Sequence, residues 1–455
     1  MTITAASLMR RDGYEVQLFD VGLKKSAAEL ESRLVDFEPS YFVIFDDGFN
    51  YLTKMCLTTM REAAFEMQRL AKKIGATTIT CSSDATDHSQ KYLQNGADFV
   101  LKGEGELTLK ELIENLDSGG NGQQIPGVCF MREGEVKTSS PRGVNTELDS
   151  LPQAAWDLVD VEAYRKLWKG AFHLNIATTR GCPYKCNWCA KPIYGNRYNS
   201  RSPEKVVEEI QFHAEKHGVD HFWMCDDIFG LKPGWVQKFK EELKKRNLKI
   251  WYKIQSRADL LLKEDNINAL VESGLDEAWI GAESGSQRVL DDMEKGTTIE
   301  QIEKSTELLK ARGVKVAFFI QFGYLGETMS DIQKTIDLVL RMMPDKLGVS
   351  VSYPLPGTKF YDVVKKDLEN KANWTDSDDL DLMFQNTFPS AFYKKLHRHL
   401  YHRYRIKRGL LLMKNLITKP KSATAKNIKD IFSLGLHIPL TLLSNFQLKK
   451  LAQAK

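Results

Sequence analysis

Three of the chain's seven cysteines stand at positions 182, 186 and 189, inside the ten residues GCPYKCNWCA that run from 181 to 190. Thiolates are the ligands from which iron-sulfur clusters and structural zinc sites are built. A structural zinc takes four protein ligands, so three clustered thiols either wait for a distant His or Cys or leave one metal corner open. The bland alternative is three buried thiols with no shared partner. A disulfide framework is a poor account of seven cysteines in 455 residues whose opening stretch, MTITAASLMRRDGYEV, carries no secretory signal. Cys225 closes an apolar run and reads as core rather than as a fourth ligand.

What must position these cysteines is a repeated unit that begins near residue 172, a short β-branched or aromatic run followed by an amphipathic helix. Six units fit, with strands expected at 172–179, 220–225, 250–256, 277–284, 314–322 and 347–353. Between the first two, Ser202 suits a helix cap, Pro203 the first turn and Gly218 the exit. Such alternation predicts a parallel sheet, here a partial (β/α)6 barrel over 172–365, with its chemistry at the carboxyl ends of the strands. The cysteines fill the loop after the first of those strands.

Residues 1–140 alternate strand-like runs (DGYEVQLFDVG, EPSYFVIFDD, KKIGATTITCSSD, NGADFVLKGEGELTLKEL) with helices such as 58–73, which predicts a doubly wound, Rossmann-like α/β layer. A linker is expected over 141–171 and a helical, basic extension over 366–455. Bulk composition, with 42% apolar and 27% charged residues and a net charge of +4, is that of an ordinary globular protein rather than a nucleic-acid binder. No run of about 18 apolar residues is present, and a cytoplasmic location is expected. The charge is unevenly placed: residues 391–455 hold 15 Lys and Arg against the single acid Asp430, so the rest of the chain is net negative. Leucines interleaved with those bases predict an interfacial helix in peripheral contact with an anionic membrane, with a solvated cap on the barrel as the alternative.

Cys-x3-Cys-x2-Cys with an aromatic residue before the last cysteine resembles the radical S-adenosylmethionine (SAM) superfamily. That resemblance implies that Cys182, Cys186 and Cys189 hold a 4Fe-4S cluster whose open iron chelates SAM, with Trp188 near the adenine. It extends to Asp226 and Asp227 in WMCDDIFG, implied to meet the amino end of SAM, and to Glu283, with Ser284 beside it, in GAESGSQRVLDDMEKG, implied to contact SAM; Arg257 in QSRAD ends the third strand and reads either as a contact to the SAM carboxylate or substrate or as a solvated arginine. FGYLGET (322–328) resembles the turn after the fifth strand, with Leu325 where proline is common, and YPLPGTKFYD (353–362) the end of the sixth.

Residues 5–115, above all GADFVLKGEGELTLKEL, resemble the cobalamin-binding domain found upstream of the cluster domain in one subgroup. Two departures stand out: the usual opening strand is missing, and no Asp-x-His-x-x-Gly cobalt-ligand motif occurs. The implied activity is reductive cleavage of SAM to a 5'-deoxyadenosyl radical, coupled with cobalamin to methyl transfer or ring rearrangement on an unactivated carbon. The implied partners are an external electron donor of flavodoxin or ferredoxin type and a small-molecule or lipid-like substrate, with Tyr194, Arg197 and Tyr198 as candidate substrate contacts. The competing class is an iron-sulfur electron carrier or scaffold without SAM turnover, which would normally fill all four iron corners with cysteine.

Overall fold

The computed structural model describes residues 1–46, 58–189, 194–368, 380–418 and 424–453. Two sheets organise it. In the first, β1 (Tyr41–Phe45), β2 (Thr77–Cys81) and β3 (Phe99–Leu101) lie parallel in chain order, and β4 (Val128–Arg132) and β5 (Glu135–Thr138) add an antiparallel hairpin. Helices 58–73 and 106–117 pack on it, burying Phe65, Leu109 and Leu112 among others. This is the expected Rossmann-like layer with one difference. The run at 12–20 forms no strand, and among the described residues β1 is the edge of the sheet, paired with β2 alone.

In place of a further strand, β1 is flanked by a cavity of about 1280 Å³. The segment 14–22 lines it on one side, and residues of the second sheet, among them Asn175 and Trp223, line it on another.

The second sheet is parallel throughout, in the order β6 (Leu174–Ile176), β9 (His221–Met224), β10 (Trp251–Ser256), β11 (Leu275–Glu283), β12 (Lys315–Phe322), β13 (Lys346–Val351). Each crossover moves one strand along, which curls a twisted sheet into the partial (β/α)6 barrel. Local chemistry sets the helices between them. Ser202 accepts from the Lys205 amide, Pro203 sits in the first turn and Gly218 ends the helix at φ 58°. Thr298 and Thr328 cap helices 299–311 and 329–342 in the same way.

The first barrel strand is shorter than its sequence suggests. Residues 179–180 leave the barrel sheet as β7 and pair antiparallel with β8 (Asn199–Ser200). Asp226 is the cause: its carboxylate accepts from the Thr178 and Thr179 amides at 2.7 and 2.8 Å and draws the chain off the strand line.

At the C-terminus, helix 390–418 buries Phe392, Tyr393, Leu396 and Leu400 in the barrel's own core, and helices 425–432 and 434–453 fold back along it. The expectation of no span long enough for a membrane is corrected by the stretch 427–453, which is long and apolar enough to cross one by length and composition. Leu434 to Leu443 supply most of the apolar weight, broken only by Gly435, His437, Pro439 and Thr441, so a count of uninterrupted apolar residues misses it.

Candidate active site

The cysteine loop is closed at its base by the β7–β8 ribbon and hangs over the carboxyl ends of the barrel strands. Gly181 opens it at φ 82°, and a Cβ there would lie 2.4 Å from the Arg197 carbonyl oxygen, so only glycine fits. Asn187, between the last two cysteines, fastens the far side. Its amide donates to the Met293 carbonyl at 3.0 Å and its side-chain NH2 to the Asp292 carbonyl at 2.6 Å. Its carbonyl accepts from the Phe360 amide and its Oδ1 from the Tyr324 hydroxyl.

Cys182, Cys186 and Cys189 are each half-buried and reduced. Among the described residues no three His, Cys, Asp or Glu side chains converge on one point as a single metal ion demands. Zinc would need its sulfurs about 2.3 Å from a shared centre. Three thiolates can equally serve three of the four iron corners of a cluster.

The charges nearby agree. Lys295, its side chain 9% exposed, faces Cys186; burial pulls its ammonium down, but the Glu283 carboxylate and then the Cys186 sulfur outweigh it and hold it above its usual value. Its Nζ lies 5.9 Å from the centre of the Trp188 ring. Arg257 stacks on Tyr184, inside the cysteine loop, at 3.7 Å. Each of the two cations is also paired with a carboxylate, Lys295 with Glu283 and Arg257 with Asp259.

The sequence-expected residues divide by their bonds. Glu283 ends β11 at a bulge, in a left-handed conformation (φ 57°) rare outside glycine, and its Oε1 accepts from Lys295 Nζ at 2.9 Å. Gly281 leaves room for that pair, since a Cβ there would meet both charged tips. Trp188 is buried against the barrel core.

Arg257 ends β10 and donates to Asp259 at 3.0 Å and to the Lys295 and Gly296 carbonyls, so it joins the same group. Asp226 sits at the root of the loop, and burial pushes its carboxyl up to about 6 against the pull of the Thr178 and Thr179 donors. Asp227 beside it is half-buried. Ser284 points elsewhere, bonding the Thr335 hydroxyl and the Ser286 amide.

Tyr194 is buried under the Arg180 guanidinium, Tyr198 is half-buried, and Arg197 is exposed. Lys295, Asn187 and Arg180 were not legible as site residues. Arg180 directly precedes the loop and donates to both Glu104 and Glu106 of the first sheet's last parallel turn, an ion triad linking the two sheets.

A family model described as the radical SAM superfamily matches residues 176–339, the barrel that carries this loop. The barrel of this chain is thus a radical SAM domain. An uncharacterized methyltransferase of Pyrococcus horikoshii is 27% identical over 318 residues, 69% of each chain. The anaerobic magnesium-protoporphyrin IX monomethyl ester cyclase of Rubrivivax gelatinosus is 26% identical over 57% of this chain, which spans about half (47%) of that relative's length. Among solved structures, the cobalamin-dependent SAM radical enzyme OxsB with aqua-cobalamin bound superimposes with a TM-score of 0.71 at 20% identity, over 98% of this chain and 69% of that one. The likeness covers both sheets, so the shared architecture extends through the Rossmann-like layer of this radical SAM protein.

Proposed function

We propose that this radical SAM enzyme holds a 4Fe-4S cluster on Cys182, Cys186 and Cys189 and SAM on its open iron, and that with cobalamin it performs methyl transfer or ring rearrangement at an unactivated carbon. The observation that carries the reading is the three-thiol loop, lacking a fourth cysteine and pinned over the strand ends with cations beside it. When bound, the cluster and SAM supply reductive C–S cleavage and a carbon-centred radical, and cobalamin supplies a methyl carrier.

The chain's residues supply position. Trp188 offers a rigid face to the adenine, Glu283 an acceptor for a hydroxyl or ammonium, and Lys295 a cation within reach of a carboxylate. Arg257 is held by Asp259, by the Lys295 and Gly296 carbonyls and by Tyr184, which orients its guanidinium beside the loop for the SAM carboxylate. Asp226 acts through the loop it roots, Asp227 faces the amino end of SAM, and Ser284 steadies the turn after Glu283. Cobalamin is supported by room rather than by a ligand: the cavity beside β1 reaches from the first sheet to the second and includes Arg180 and Tyr194, and the expected cobalt-binding histidine motif is absent. Electrons come from an external donor of flavodoxin or ferredoxin type, and the substrate is a small or lipid-like molecule.

The test is anaerobic reconstitution with iron, sulfide and hydroxocobalamin, then reduction in the presence of SAM. The reading expects 5'-deoxyadenosine or S-adenosylhomocysteine in the wild type and neither in Cys186→Ala. Turnover persisting in Cys186→Ala contradicts it.

A further inference from the structure

The helices after residue 390 form an antiparallel pair with one covered and one bare side. Gly409 meets Leu434, where a Cβ would come within 2.8 Å; His402 Nδ1 lies 3.0 Å from His437 Nδ1; and His399 Nδ1 lies 2.8 Å from Ser444 Oγ. The opposite side carries Ile417, Phe432, Leu436, Leu442, Leu443 and Phe446, between 54% and 81% exposed. Within helix 434–453 the spacings 436–443, 442–446 and 443–446 put four of them on one helical stripe, and Phe432 closes the helix before it. Contiguous apolar exposure of this kind on a folded protein marks a contact surface.

Charge identifies the partner. Lys407, Lys414, Lys429, Lys449 and Lys450 are exposed around that stripe, and Asp430, the single acid of residues 391–455, is occupied by Arg408 at 3.3 Å. A second copy of the chain would bring another strongly positive tail against the first, which repels. An anionic lipid surface supplies both an apolar layer and the opposite charge.

We propose that the pair 390–418 and 434–453 is a monotopic membrane-docking element that lies in the headgroup plane of an anionic bilayer, with Phe432, Leu436, Leu442, Leu443 and Phe446 dipped into it and the lysines at the phosphates. The stretch 427–453 does not span the bilayer, because its inner side is committed to helix 390–418 through the His402–His437 and His399–Ser444 contacts. This deepens the peripheral contact read from the basic tail and rests on no cofactor.

The experiment is cosedimentation of the full chain with phosphatidylcholine vesicles, with and without phosphatidylglycerol, beside SAM cleavage measured without vesicles. Binding is expected only with phosphatidylglycerol and is expected to fall as salt rises. In Leu442→Ser/Phe446→Ser it should weaken at least about tenfold while SAM cleavage stays at the wild-type rate. Lys449→Gln/Lys450→Gln, which removes no packing, should weaken it with a shallower salt dependence. Wild-type affinity in both double variants overturns the proposal. So does a protein that ignores phosphatidylglycerol and dimerises through this face in light scattering, or one that resists alkaline extraction as a spanning helix does. Loss of SAM cleavage alone would count against the cofactor reading and leave this one standing.

Discussion

Glu283 and Lys295 are one unit, and their variants should behave as one. Both side chains are under a tenth exposed, so removing the cation strands a carboxylate in the interior. Lys295→Met is expected to lose about 3 to 5 kcal/mol of stability in urea unfolding, and adding Glu283→Gln should recover much of it without restoring SAM affinity. A Lys295→Met protein as stable as the wild type would remove the pair from the account. Asp226 gives a pH signature. Burial raises its folded pKa to about 6, above the unfolded value of 3.8, so the folded chain binds this proton more tightly between those limits. The stability it contributes is therefore full in acid and is lost as pH climbs from about 4 to 6, by about 3 kcal/mol. Asp226→Asn should lack that part of the slope; superimposable stability profiles from pH 4 to 7 would contradict the assignment.

At the scale of elements, the cysteine loop works only if its ends stay fixed. Gly181→Ala forces a Cβ onto the Arg197 carbonyl and strains φ, so the loop must shift. Iron bound after reconstitution should fall well below the wild-type content while the barrel keeps its circular dichroism, and unchanged iron content would show that the loop tolerates the shift. The barrel strands and helix 203–217 were legible because β-branched runs, Ser202, Pro203 and Gly218 act through neighbours in sequence. The cysteine motif was legible for the same reason, all three cysteines lying within eight residues. Lys295 and Asn187 were not, since what makes them matter lies 12 and more than 100 residues away. The run 12–20 has strand composition and no strand, because composition marks a segment that fits a sheet without fixing whether it pairs.

Over the whole molecule, the Rossmann-like layer and the barrel meet where the chemistry would be. Arg180, one residue before the loop glycine, is held by Glu104 and Glu106, which ties the start of the cysteine loop to the first sheet. The tail divides between two tasks: its first aromatic residues complete the barrel core, and its far side stays bare. That split was hidden in the sequence, where apolar residues occur in both parts and nothing marks which of them pack. The central claim is that three thiolates leave one iron open for SAM. The most direct measurement is electron-nuclear double resonance on the reduced, reconstituted protein with SAM labelled with nitrogen-15 at its amino group. The account predicts a cluster signal altered by SAM and a hyperfine coupling to that nitrogen, both absent in Cys186→Ala; a reduced 4Fe-4S signal that SAM leaves unchanged, with no coupling to the label, would contradict it.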